Sequence, residues 1–174
     1  KACMRAKIAA TTKNAGSHQF QERSACQARI AVNTAAASST RLRDKIIDAI
    51  SSLKIGYPEE LDTQMGPLVE PPGEKLLSGL TELGPGEQWI LTPRQLDDDG
   101  LLWSPGLRSG VQPGSAFHQT EYFGPVLGVM QAPNLQRAVA WANQVEFGLT
   151  AGLHSLDHGE IRYFQENIQA GNVY

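Results

Sequence analysis

Short apolar runs alternate with helical stripes along this chain, most clearly in its second half. Val126-Leu127-Gly128-Val129-Met130 is an apolar run bounded by Gly124-Pro125, as a buried strand requires. Leu135, Ala138, Val139 and Ala142 then recur at helical spacing behind Asn134, a residue type that caps helix starts. Leu149–Leu153 reads as a second strand. Asp157 and Glu160 make a capping-box-like start for a helix carried by Ile161, Phe164 and Ile168 and ended by Gly171. Val173-Tyr174 begins a third strand. This alternation predicts one mostly parallel sheet holding all three strands, with crossover helices near 134–144 and 157–169.

Upstream, Leu42, Ile46, Ile47, Ile50 and Leu53 form one stripe, predicting an amphipathic helix over 41–53 that Gly56 and Pro58 stop. Leu76, Leu77, Leu80 and Leu83 form a second stripe, closed by Gly84-Pro85-Gly86. Trp89-Ile90-Leu91 reads as a short strand. Residues 92–116 are rich in Gly, Pro, Ser and Asp and read as a long excursion with a hairpin at Leu101–Trp103. No repeat or linker splits the chain. The fold class is α/β, a mostly parallel sheet with crossover helices.

Composition narrows the function classes. The 174 residues are 41% hydrophobic with a net charge of −3, which excludes a disordered chain and a polycation. No basic face points to nucleic acid, and no apolar run approaches the ~20 residues of a membrane span. Cys3 and Cys26 form no Cys-x-x-Cys pair, so neither a disulfide scaffold nor a zinc ribbon is expected. His154 and His158 flank Asp157 at a helix start, where surface or capping roles outweigh metal ligation, and no metal is expected. Residues 1–21 carry Lys1, Arg5, Lys7 and Lys13 without an acid. That composition suits a solvated basic helix or a fragment end better than a targeting segment.

Glu121-Tyr122-Phe123-Gly124-Pro125-Val126 departs from generic strand sequence. Gly-Pro sets a turn that would hold Glu121 and Phe123 at the mouth of the following strand, where open α/β sheets bind ligands. A carboxylate there can accept hydrogen bonds from a sugar diol, and an aromatic ring can pack on a flat cofactor ring. The plainer alternative is a tight turn before a strand.

The hexapeptide resembles the Glu-x-Phe-Gly-Pro-Val motif of aldehyde dehydrogenases. Lys54-Ile55-Gly56-Tyr57-Pro58 with Thr63-Gln64-Met65-Gly66-Pro67-Leu68, then Phe147-Gly148-Leu149-Thr150-Ala151-Gly152-Leu153 and Ala170-Gly171-Asn172-Val173-Tyr174, resemble further stretches of that family in the same order. Pro93–Gly106, Phe117-His118-Gln119-Thr120 and Gly152–Asp157 are similar to the glutamate-γ-semialdehyde dehydrogenase module of bacterial proline utilization A proteins. The resemblance covers 41–174 as the carboxy-terminal part of an aldehyde-dehydrogenase-like catalytic domain, partial in extent. Residues 1–40 match poorly and hold a degenerate nucleophile region.

The resemblance implies thiolate attack on an aldehyde, giving a thiohemiacetal, hydride removal by NAD or NADP, and a base that activates water against the thioester. It implies that Glu121 binds the nicotinamide ribose hydroxyls and that Phe123 packs beside the nicotinamide. Lys75 lies near a family lysine that approaches the adenosine ribose, with a solvated helix lysine as the alternative. For the nucleophile, Asn14-Ala15-Gly16 resembles the start of the family's stretch, but Ser17-His18-Gln19 follows. The position falls nearer Ser24, and Cys26 reaches it through a deletion of about two residues. A buried structural thiol is the other reading of Cys26.

The expectation is part of a cytoplasmic dehydrogenase acting on a small aldehyde, inactive without an amino-terminal cofactor-binding portion. Such a part would leave an apolar patch near Glu121, Phe123 and residues 14–30, with self-association as its consequence. The alternatives are a truncated, catalytically dead relative with a packing role and a stand-alone α/β binding module.

Overall fold

The computed structural model describes residues 29–33 and 36–174, with side chains from Leu42 onward. Strand β1 (Arg29–Asn33) leads into helix α1 (Ala36–Ser51). After a long loop come α2 (Glu74–Thr81), β2 (Gln88–Leu91), β3 (Gly106–Ser109) and the single turn α3 (Ala116–Gln119). The chain continues through β4 (Val126–Gln131), α4 (Leu135–Ala142), β5 (Thr150–Ala151), α5 (His158–Asn167) and β6 (Asn172–Val173).

Four strands form one sheet in the order β1-β4-β3-β2, and β5 pairs with β6 in a second, two-stranded sheet. The pairs β1–β4, β3–β4 and β5–β6 are parallel, and β2–β3 is antiparallel. Leu127 stands opposite Arg29 on one side and Leu107 on the other, so both edges of β4 are taken. This corrects the expectation of a single sheet joining β4, β5 and β6. The parallel sense holds, but β4 offers no free edge, and β5 and β6 pair with each other instead.

Sequence patterning placed most elements within a few residues. Asn134 caps α4 by accepting from the Arg137 N–H at 2.9 Å. Asp157 caps α5 by accepting from the Gly159 and Glu160 N–H groups at 2.7 and 3.0 Å. Helix α1 begins at Ala36, earlier than the apolar stripe required. Leu83 lies beyond the end of α2 and is exposed, because Glu82 already has extended backbone.

The larger correction concerns residues 92–116. Rather than a mere excursion, they contain β3, an inner strand of the sheet. The expected hairpin is there too: Gln95 bridges Trp103 in antiparallel sense, and the Leu96 N–H donates to the Leu102 carbonyl at 2.7 Å.

Two hydrophobic clusters result among the described residues. The first joins Leu68, Leu80, Trp103, Val111, Phe117, Tyr122, Val126 and Met130 against one face of β4. The second joins Leu135, Val139, Ala142, Ala151, Phe164 and Ile168 between α4, α5 and the small sheet.

Candidate functional site

The turn over 120–125 meets the first turn of α2 at the amino end of β4. Tyr122 points inward, buried, and stacks on Phe117 with ring centroids 5.0 Å apart. Its neighbours therefore face the other way: Glu121 is half-buried and Phe123 is 45% exposed. Gly124 permits this packing, since a Cβ there would collide with Leu76 of α2. Helix α2 thus lies directly over the turn and carries Lys75 to Phe123, with Nζ 5.8 Å from the ring centroid. Of the residues expected from sequence, Phe123 and Lys75 come together, with Glu121 on the same turn. Cys26 and Ser24, like most of the 14–30 stretch, lie outside the described residues.

One expectation about this mouth needs correcting. Open α/β sheets bind ligands at the carboxyl ends of their strands. Glu121 and Phe123 sit at the amino end of β4. Any ligand they hold is therefore met by a turn and a helix, not by a crevice between diverging strands.

Behind the mouth lies a buried cation that patterning did not suggest. Arg108 of β3 is 2% exposed and donates from Nη1 to the Glu87 carboxylate at 2.8 Å. Its Nη2 donates to the Gly79 carbonyl of α2. The guanidinium lies between two rings, 4.3 Å from the Trp89 centroid and 3.9 Å from that of Phe117. Burial pulls its pKa below the ordinary arginine value, and the bond to Glu87 opposes that pull. Arg108 so connects β3, α2 and the ring that supports Tyr122.

A second polar link joins the loop after α1 to the 93–105 excursion. The Tyr57 hydroxyl donates to Asp97 at 2.6 Å, and the same carboxylate oxygen accepts from the Leu102 N–H at 2.9 Å. Burial opposes ionisation of Asp97, but Tyr57 and the backbone N–H groups of Leu102, Gly100 and Leu101 hold its pKa below the usual value. Donation to Asp97 is the largest cause that pushes Tyr57 up to about 12. Among the described residues, no group of three or more His, Cys, Asp or Glu side chains could hold a metal ion. No helix among them is long and apolar enough to cross a membrane.

A model of the aldehyde dehydrogenase family matches residues 2–174. The chain belongs to the aldehyde dehydrogenase family. The chain also resembles solved structures: Proline Utilization A (PutA) from Corynebacterium freiburgense superposes with a TM-score of 0.78 at 49% identity. That match covers 84% of this chain and 15% of the other. The 1-pyrroline-5-carboxylate dehydrogenase of Anoxybacillus flavithermus is 29% identical over 75% of this chain and 26% of its own length. Succinate-semialdehyde dehydrogenase [NADP(+)] 1 of Mycobacterium tuberculosis is 30% identical over 75% of this chain and 29% of its own. The chain therefore spans about a quarter of the length of the curated relatives it matches. The α/β fold expected from the resemblance is that of these aldehyde dehydrogenases.

Proposed function

We propose that this chain is part of an NAD(P)-dependent aldehyde dehydrogenase that oxidises L-glutamate γ-semialdehyde to glutamate during proline breakdown in the cytoplasm. The observation that carries the substrate is the 49% identity to a Proline Utilization A protein, well above the 30% shared with a succinate-semialdehyde dehydrogenase. Within this reading NAD or NADP supplies the hydride acceptor. The mouth fits such a cofactor: an exposed ring at Phe123 offers a face for a flat heterocycle, and Lys75 adds a cation beside it. Glu121 holds the ribose diol, Phe123 packs beside the nicotinamide, and Lys75 lies towards the adenosine side.

The remaining machinery comes from elsewhere. An amino-terminal cofactor-binding portion is the partner this reading needs, and the 174-residue chain alone binds NAD weakly or not at all and does not turn over. The degenerate stretch at 14–30 favours a second reading, a relative without a working nucleophile. Cys26 decides between them: if it is the nucleophile, Cys26→Ala abolishes turnover of the assembled enzyme.

Calorimetry against NAD and NADP, with NADH absorbance under glutamate γ-semialdehyde, tests the proposal on the chain alone and on the chain assembled with a cofactor-binding portion. A diol donating to a carboxylate contributes roughly 1.5–3 kcal/mol, so Glu121→Gln should raise KM for NAD about tenfold or more. Displacing a reacting ring by about 1 Å costs about a hundredfold, so Phe123→Ala should lower kcat more than affinity. Changes below about twofold in both variants would leave the motif as a turn before a strand.

A further inference from the structure

His118 is 1% exposed, among the most deeply buried ionisable residues of those described. One ring nitrogen, Nε2, lies 3.0 Å from the Trp141 carbonyl oxygen. A carbonyl only accepts, so Nε2 must carry the hydrogen. That leaves Nδ1 as an acceptor, and the Gly114 N–H donates to it at 2.9 Å. Gln119 Nε2 approaches the same nitrogen at 3.2 Å. Burial lowers the pKa of His118, with the Trp141 carbonyl opposing that shift, in keeping with a neutral ring.

The geometry rules out one role and suggests another. Both nitrogens are engaged by the protein and sealed from solvent, so the ring is not placed to exchange protons with a substrate. It joins two segments that flank β4 in sequence: the Gly114–Thr120 turn before the strand and α4 after it. The neighbouring Phe117 is fixed separately. A Cβ on Gly128 of β4 would fall 2.5 Å from its ring, and Tyr122 stacks on it. Phe117 therefore anchors the turn to the sheet, while His118 anchors it to a helix. Glu121 and Phe123 follow within five residues.

We propose that His118 is a positioning residue for the mouth: as the neutral Nε2–H tautomer it bolts the turn before β4 to α4, and so fixes where Glu121 and Phe123 stand. Naming the mouth's ligand as a nicotinamide dinucleotide rests on the function proposed above. The bolt itself does not.

The test uses NMR on the full 174-residue chain without cofactor. In the unsubstituted protein, long-range 15N spectra should show His118 as the Nε2–H tautomer. An Nδ1–H ring, or one averaging between tautomers, overturns the proposal without any variant. Three substitutions then separate the two bonds. His118→Asn retains an acceptor near the Nδ1 position, His118→Gln retains a donor near the Nε2 position, and His118→Leu retains neither. The Gly114 amide should exchange about tenfold faster in the Gln and Leu variants than in the Asn variant, as loss of one hydrogen bond allows. Backbone order parameters at 121–124 should fall from about 0.85 towards 0.6 in all three variants while those of β2 and α5 hold.

Unchanged order parameters at 121–124 in folded Asn and Gln variants overturn the proposal. So does a decline spread evenly over the chain, which would mark a purely structural histidine. In the assembled enzyme, His118→Gln should raise KM for NAD more than KM for the aldehyde. If the NMR changes appear and KM for NAD stays put, the cofactor reading fails and the bolt stands.

Discussion

Arg108→Met is the most informative single perturbation of this fold. It removes a buried cation and leaves the Glu87 carboxylate, whose side chain is 1% exposed, with the Gly84 N–H at 3.0 Å as its remaining hydrogen-bond donor among the described residues. Its Oε1 has no hydrogen-bond partner among the described residues even with Arg108 in place. Breaking a buried pair from one side costs about 3–5 kcal/mol, because an uncompensated charge stays in the interior. The guanidinium's contacts with Trp89 and Phe117 are lost as well, and a methionine of similar length recovers part of that packing. A net cost of about 4 kcal/mol is therefore expected, a large share of the 5–15 kcal/mol that typically holds a domain together.

Glu87→Gln breaks the same pair from the other side and strands the Arg108 cation, but a carboxamide oxygen still accepts from Gly84 and Arg108, so it should cost about 3 kcal/mol. Combining the two substitutions leaves neither charge stranded. The double variant should therefore lose about 2 kcal/mol, far less than the sum of the singles, with a coupling of about 5 kcal/mol. Urea unfolding followed by both tryptophan fluorescence and far-UV circular dichroism measures each corner of the cycle. An Arg108→Met cost under about 1 kcal/mol, or strict additivity, would refute the view that this pair is a buried, mutually dependent unit.

Four further outcomes are expected. The Asp97 carboxyl is held below its usual pKa, so its link to Tyr57 contributes above the unfolded-state value near 4 and fades as pH falls through the lower folded value. The urea midpoints of wild type and Asp97→Asn should accordingly converge in acid. Tyr57, pushed up to about 12, has the opposite sign: its contribution is full below the ordinary value near 10 and is lost as pH rises through 12, so wild type minus Tyr57→Phe should show a late phenolate step in ultraviolet absorbance. Asp157→Ala deprives two N–H groups of their acceptor and should lower stability by about 1 kcal/mol, read from the urea midpoint. With Phe123 45% exposed at the mouth, light scattering of the isolated chain should show self-association that Phe123→Ser reduces; a monomer at high concentration would count against it.

What could be read from the sequence was what is local. Asn134 and Asp157 announce their helices because a cap acts within three residues. Strand β4 is plain from its apolar run, and the mouth is plain from Gly-Pro behind a carboxylate and two aromatics. Strand β3 was hidden because Gly106, Arg108 and Ser109 look like loop residues. Arg108 is tolerated in the sheet only because Glu87, 21 positions earlier, neutralises it. The division into two sheets was hidden for the same reason: it depends on β1, far away in sequence, occupying an edge of β4. His118 was noted only as part of a motif. Its partners are the backbone of Gly114 and Trp141, and a backbone carbonyl leaves no signature in residue identity.

The two-sheet arrangement also bears on the order in which the chain acquires its structure. Pairing β1 with β4 brings together residues about a hundred positions apart, whereas β5 and β6 are separated by about twenty. That difference is a little over two doublings of loop length, about 1.3 kcal/mol of extra closure entropy for the larger sheet. The small sheet, with α4 and α5 across it, is a low-contact-order unit that can close early. During synthesis its strands also emerge after those of the larger sheet. The slow, long-range pairing thus has its strands available first, and the fast, local one follows it, which shortens the time that either apolar face spends uncovered.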